Sequence, residues 1–184
     1  MFQSKKKSFL NLYLSPSINT FNIACTKQIE LCSYGYDDPN FGQVPGSFVR
    51  IDGQEIITSN NSNNGRGFTL ATILSEGKVG EITRYDTWGS DDASIELRDY
   101  LESLPNNTRL AGITYDSYDD FRETFHSQVR PILMKMGIDV SSRNNRNSLC
   151  FLVTKGKPEL TRQSFAASCH GPATIKCPLI CHML

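Results

Sequence analysis

Asp52-Gly53 stands between two runs of alternating polarity, Ser47-Phe48-Val49-Arg50-Ile51 and Gln54-Glu55-Ile56-Ile57-Thr58. A two-residue turn of this type takes positive φ at both positions, and its twist matches that of paired antiparallel strands. The hairpin is therefore fixed locally, and the rest of the order follows from it. Gly65-Arg66-Gly67 leads into an apolar run, Phe68–Leu74, and a turn over 77–80 leads to a neighbouring strand, Glu81–Asp86.

The period then changes. Ser90 caps a helix with Asp91 and Asp92 in its first turn, where carboxylates complement the helix dipole. Leu97, Tyr100, Leu101 and Leu104 form one apolar face, and Pro105 ends it. A β-like run, Arg109–Tyr115, precedes a second helix that opens at Ser117-Tyr118-Asp119-Asp120, a capping-box-like pattern. Its buried stripe is Phe121, Phe125, Val129, Ile132, Leu133 and Met136. Pro131 should kink it, and Gly137-Ile138 reads as a left-handed cap with an apolar clasp. The last strand is Leu149–Thr154. The reading is an α+β domain over 47–157, with an irregular arm before it (1–46) and a cysteine-rich tail after it (158–184).

Composition narrows the function classes. With 19 basic against 19 acidic residues, the chain lacks the long-range pull on phosphate that nucleic-acid binders use. It has no apolar run of about 18 residues, so no membrane-spanning helix is expected. Cys25, Cys32, Cys150, Cys169, Cys177 and Cys181 form an even set that suggests disulfides in an oxidising compartment. Two N-x-S/T triplets, at Asn60 and Asn106, point the same way to a secreted glycoprotein. The leader is poor: Lys5-Lys6-Lys7 precedes only six mostly apolar residues, stopped by Pro16. Cys169-His170, Cys177 and Cys181-His182 offer zinc-type ligands at a spacing that matches no common module, so no metal or other cofactor is expected.

No nucleophile elbow, P-loop or zinc-protease motif occurs. Gly65-Arg66-Gly67 lacks the third glycine of a dinucleotide loop and reads as a tight entry into a core strand. Asp86, Asp91, Asp92, Asp116, Asp119 and Asp120 lie near strand and helix ends. A glycoside hydrolase would need two of them facing one bond. Asp116 ends an apolar strand, where it can hold a ligand or simply shape a turn. Trp88, the only tryptophan, either closes the core or offers a flat face to a sugar.

Asn64-Gly65-Arg66-Gly67-Phe68, Tyr85-Asp86-Thr87-Trp88-Gly89, the strand ending at Asp116, Met136-Gly137, and Arg146-Asn147-Ser148 with Phe151 and Lys155-Gly156 together resemble the ILEI/PANDER-like domain family over about 47–157. The resemblance implies a compact β-β-α layered domain with two curved, mostly antiparallel sheets packed against helices, and a non-enzymatic extracellular or lumenal role. It implies a secreted signalling or adhesion module acting through a protein receptor, or a lectin-like, glycan-recognising one. In the latter kind, the Asp at the strand end and an Arg before the last strand hold the sugar, and these match Asp116 and Arg146. The chain departs from the family pattern at Ser117, Asn147, Leu149 and Val153. The carbohydrate-binding candidates are thus Asp116, Arg146 and Trp88, with a glycan or a cell-surface receptor as partner.

Overall fold

The computed structural model describes residues 25–43, 46–59, 65–118, 123–141 and 146–181. The Asn60 triplet, Asp119, Asp120, Phe121 and His182 all lie outside them. The chain is mixed α/β and rich in strand. The Asp52-Gly53 hairpin joins β2 (Ser47–Ile51) to β3 (Gln54–Ser59), with φ of 51° and 77° at the two turn residues. β4 (Gly67–Ile73) pairs antiparallel with β5 (Val79–Tyr85) and with β6 (Arg109–Asp116), which in turn pairs with β7 (Ser148–Thr154). Helix α1 (Asp91–Ser103) starts where expected, the Ser90 hydroxyl accepting from the Ala93 amide at 3.2 Å.

The second helical segment differs from the simple kinked helix expected at Pro131. Phe125–Val129 is wound as a π-helix, and α2 (Arg130–Lys135) follows with Pro131 in its first turn, where no amide donor is missed. Gly137 closes it at φ 84°. Its amide donates to Met134, and that of the fully buried Ile138 donates to Leu133.

Two segments read as arm and tail contain core strands. β1 (Cys25–Gly35) places Ile29 and Leu31 at zero exposure, and β9 (Ala173–Cys181) pairs with it antiparallel from Cys25↔Cys181 to Ser33↔Ala173. β8 (Arg162–Ala166) pairs with β7. Among the described residues the nine strands form one branched sheet rather than two separate ones. The link is a short parallel contact of β1 with β6, at Tyr34↔Tyr115 and Gly35↔Asp116.

Alternation along β4, β6 and β7 feeds two apolar clusters. Phe68, Leu70, Leu110, Leu149, Phe151 and Val153 pack with helix residues such as Leu97, Leu101, Phe125 and Leu133. Ala71, Ile73, Ala111, Ile113 and Cys150 pack with Ile29, Leu31, Val49, Ile175 and Cys177. Leu149 and Val153, two of the departures from the family pattern, are therefore core residues.

At the β1–β6 link, buried hydroxyls bond backbone groups just beyond the last β6–β7 pair, Ile113↔Cys150. Ser33 Oγ and Ser47 Oγ donate to the Thr114 carbonyl at 2.6 and 2.7 Å, while Thr114 Oγ1 accepts from the Leu149 amide at 3.0 Å. These contacts hold the ends of β1 and β6 side by side. The site lies just beyond them.

Candidate functional site

β1 and β6 end together, so the residues after each are delivered to one place. Asp116 closes β6 at φ 67°, a left-handed conformation that Asp tolerates better than most residues. Its carbonyl accepts from the Tyr36 amide at 2.8 Å, which sets Tyr36 and Asp37 beside it. Arg146, before β7, is also left-handed at φ 68°. Its backbone passes so close to Gly35 that a Cβ there would fall 1.9 Å from the Arg146 carbonyl oxygen. A long side chain in this conformation carries strain, and such strain gathers at ligand sites.

On the far side, Gly67 enters β4 at φ 85°, where a Cβ would meet the Tyr85 carbonyl oxygen at 2.1 Å. The tight strand entry read from Gly65-Arg66-Gly67 is what the fold uses, and it aims Arg66 toward Asp116. Asp86 receives Arg66 in a two-pronged bond, Nε to Oδ1 at 2.8 Å and an Nη to Oδ2 at 2.6 Å. The Gly89 amide adds a bond to Asp86 at 2.9 Å, and a Cβ at Gly89 would collide with that guanidinium.

These residues enclose a cleft of about 270 Å³ lined by Tyr36, Arg66, Trp88, Asp116, Ser117 and Arg146. All three residues singled out from the sequence, Trp88, Asp116 and Arg146, meet in it. Trp88 is half-buried in the wall rather than in either core cluster. Two similar halves flank Asp116. In one, the Arg66 guanidinium lies 4.5 Å from the Trp88 ring centre and pairs with Asp86. In the other, Arg146 lies 4.6 Å from the Tyr36 ring centre and pairs with Asp37 at 3.0 Å. Cation–π stacking and a carboxylate thus fix each planar fork in place.

Asp116 sits between these halves, and among the described residues none donates a hydrogen bond to its carboxyl. Burial raises its pKa above the ordinary carboxylate value; Arg66 and Arg146 pull the other way, while Asp86 and Asp37 reinforce the rise. What the cleft offers is one unsatisfied acceptor, remaining guanidinium donors on both sides, and aromatic surface. Asp86 and Asp37 are each engaged by an arginine, so no second unpaired carboxyl faces Asp116 among the described residues. Asp91 and Asp92 occupy the first turn of α1.

Sequence reasoning missed Tyr36, Asp37 and Arg66. The first two were assigned to an irregular arm, and the third to a backbone role only. The other two departures from the family pattern brace the site. Ser117 Oγ accepts from the Arg146 amide at 3.3 Å, and buried Asn147 accepts from the Ser168 amide at 2.9 Å.

The cysteines correct one expectation. Cys32, Cys150, Cys169 and Cys177 are free thiols, where composition suggested bridges. Cys32, Cys150 and Cys177 are buried and serve as small apolar side chains, a common use of free cysteine. His170 turns its Nδ1 to the Ser168 carbonyl at 2.9 Å, and the described residues contain no cluster of three metal-type ligands. No helix among them is long and apolar enough to cross a membrane.

No curated protein matches the chain. The interleukin-like EMT inducer family, a family of secreted, cytokine-like domains, matches residues 66–157, half of the chain, and that span holds Arg66, Asp86, Trp88, Asp116, Ser117 and Arg146. The chain belongs to the interleukin-like EMT inducer family.

Proposed function

We propose that the cleft at the ends of β1 and β6 recognises a glycan, without catalysis, as part of an extracellular module. The observation that carries this reading is the Asp116 carboxyl, which receives no donor among the described residues and is flanked by two guanidiniums already neutralised by Asp86 and Asp37. Such a site gains little from a charged ligand. It gains most from a ligand with several hydroxyls, which donate to Asp116 and accept from Arg66 and Arg146. A volume of about 270 Å³ suits one or two sugar rings, with Trp88 and Tyr36 as apolar walls.

The test is a glycan array and titration with the parent, Asp116→Asn and Arg146→Asn. Asn tolerates the left-handed backbone at both positions, so folding should survive. Loss of either partner should weaken binding about 10- to 100-fold, the usual worth of a charged hydrogen bond. Selective binding that persists in both folded variants would overturn the site. A second reading follows from the family, whose cytokine-like members imply a protein receptor. A folded parent that binds no glycan would favour it.

A further inference from the structure

Asn106 begins the triplet Asn106-Asn107-Thr108, in the turn between α1 and β6. It is exposed, and Asn107 beside it takes φ 69°. Among the described residues Thr108 is held by backbone hydrogen bonds, its amide donating to Pro105 at 3.2 Å and its carbonyl accepting from the Lys155 amide at 2.8 Å. The acceptor amide lies against Gly156, where a Cβ would come within 3.0 Å of Asn106 Oδ1. A glycine there is what lets the side-chain amide lie in this position. Seven residues of β6 separate this turn from Asp116. At about 3.3 Å per residue that is roughly 23 Å, so a glycan here leaves the cleft open.

Asn106 also lines a groove of about 440 Å³, whose apolar side is Leu101, Ile132, Met136 and Pro158 and whose rim carries Glu102, Lys135 and Lys155. Leu101 and Met136 are buried at its base, and Ile132 and Pro158 present its open apolar surface. We propose that Asn106 carries an N-linked glycan whose first sugars lie along this groove and shield it from water. In the transfer, Asn106 Nδ2 bonds to the anomeric carbon of a polyprenyl-diphosphate-linked oligosaccharide. The bond from that carbon to the diphosphate oxygen breaks, the polyprenyl diphosphate leaves, and the amide gives up one proton. A sugar attached at the rim has its apolar face and acetyl methyl beside Ile132 and Pro158, and its hydroxyls toward solvent.

The experiment is secretion of the full chain from animal cells behind a heterologous leader, followed by tryptic mass mapping. Peptide 99–109 isolates Asn106, and the Asn60 triplet falls in 51–66. Peptide 99–109 should carry hexosamine and hexose in the parent and in Thr108→Ser, and be bare in Thr108→Ala. The Ser variant keeps the triplet and reports on folding at this position. The bare Ala variant should bind anilinonaphthalene sulfonate several-fold more strongly than the parent, because the groove is uncovered. A bare Asn106 in the secreted parent would overturn the modification. Equal dye binding by parent and Ala variant would overturn the shielding.

Discussion

Asp37 and Arg146, 109 residues apart in sequence, meet at 3.0 Å on the rim of the cleft. The second oxygen of Asp37 accepts the Ser168 hydroxyl at 2.7 Å. Three separate turns, after β1, before β7 and between β8 and β9, therefore converge on one carboxylate. The carboxylate of neighbouring Asp38 ties the first and last of these turns, accepting from the backbone amides of Gly35 at 2.7 Å and Gly171 at 2.8 Å. The cleft thus depends on residues outside the 66–157 span matched by the family.

Asp37→Ala separates positioning from folding. The Arg146 side chain is 47% exposed and that of Asp37 30%, so water screens the pair and its loss should cost no more than about 1 kcal/mol of stability. Arg146 would regain rotamer freedom that binding must then remove, which should weaken glycan affinity about 5- to 10-fold. Thermal unfolding alongside a glycan titration measures both. Unchanged affinity would mean that the ion pair does not position Arg146.

The elements legible in the sequence were those with local signals. Asp52-Gly53, Ser90 and Gly137 each fix a backbone conformation within a few residues, and the structure has all three features. β1 and β9 carried no comparable signal. Their stability comes from pairing with each other across the length of the chain, a non-local gain that a window of sequence does not contain. Tyr36 and Asp37 were missed for the same reason: a turn rich in Asp, Pro and Gly looks like any surface loop until β1 is known to end beside β6. Asp116 was visible because it follows an apolar strand directly. The link made by Ser33, Ser47 and Thr114 was not, since three hydroxyls distant in sequence have no shared pattern. The buried thiols were misread because cysteine number does not distinguish a bridge from a small core side chain.

Asp116 gives the site a pH dependence of defined sign. Burial, the main cause, raises its folded pKa above that of the unfolded chain. The folded protein then binds this proton more tightly, so the contribution to stability is present below the unfolded pKa and is lost as pH rises through the raised folded one. Glycan binding should run the other way, because hydroxyls donate to the ionised carboxylate. Affinity should fall on acidification through the raised pKa, and Asp116→Asn should flatten that part of the profile. Titrations of both proteins from acid to neutral pH test this. Parallel profiles would assign the pH dependence to another group.

Thr114→Val probes the link between β1 and β6 while nearly conserving shape. Thr114 Oγ1 exchanges hydrogen bonds with Leu149, accepting from its amide at 3.0 Å and donating to its carbonyl at 3.1 Å, and lies 2.8 Å from Ser33 Oγ. All of these groups are buried, so removing the hydroxyl should cost about 1–3 kcal/mol. Chemical denaturation should show a lower midpoint with an unchanged slope. A loss within a few tenths of a kcal/mol would show that Ser33 alone satisfies the Leu149 amide.

The thiols should differ sharply in reactivity. Burial pushes the pKa of Cys32 up to about 11 and that of Cys150 to about 12. At neutral pH both remain protonated and shielded, and it is the thiolate that attacks an alkylating agent. Cys169 is exposed. Iodoacetamide added to the native protein near pH 7 should therefore label Cys169 while sparing Cys32 and Cys150, and denaturant should make all three react. Peptide mapping distinguishes the sites. Native labelling of Cys32 or Cys150 as fast as Cys169 would show that the core around β1 and β7 opens readily, and a bridged Cys32 or Cys150 in an unreduced map would restore the disulfide reading.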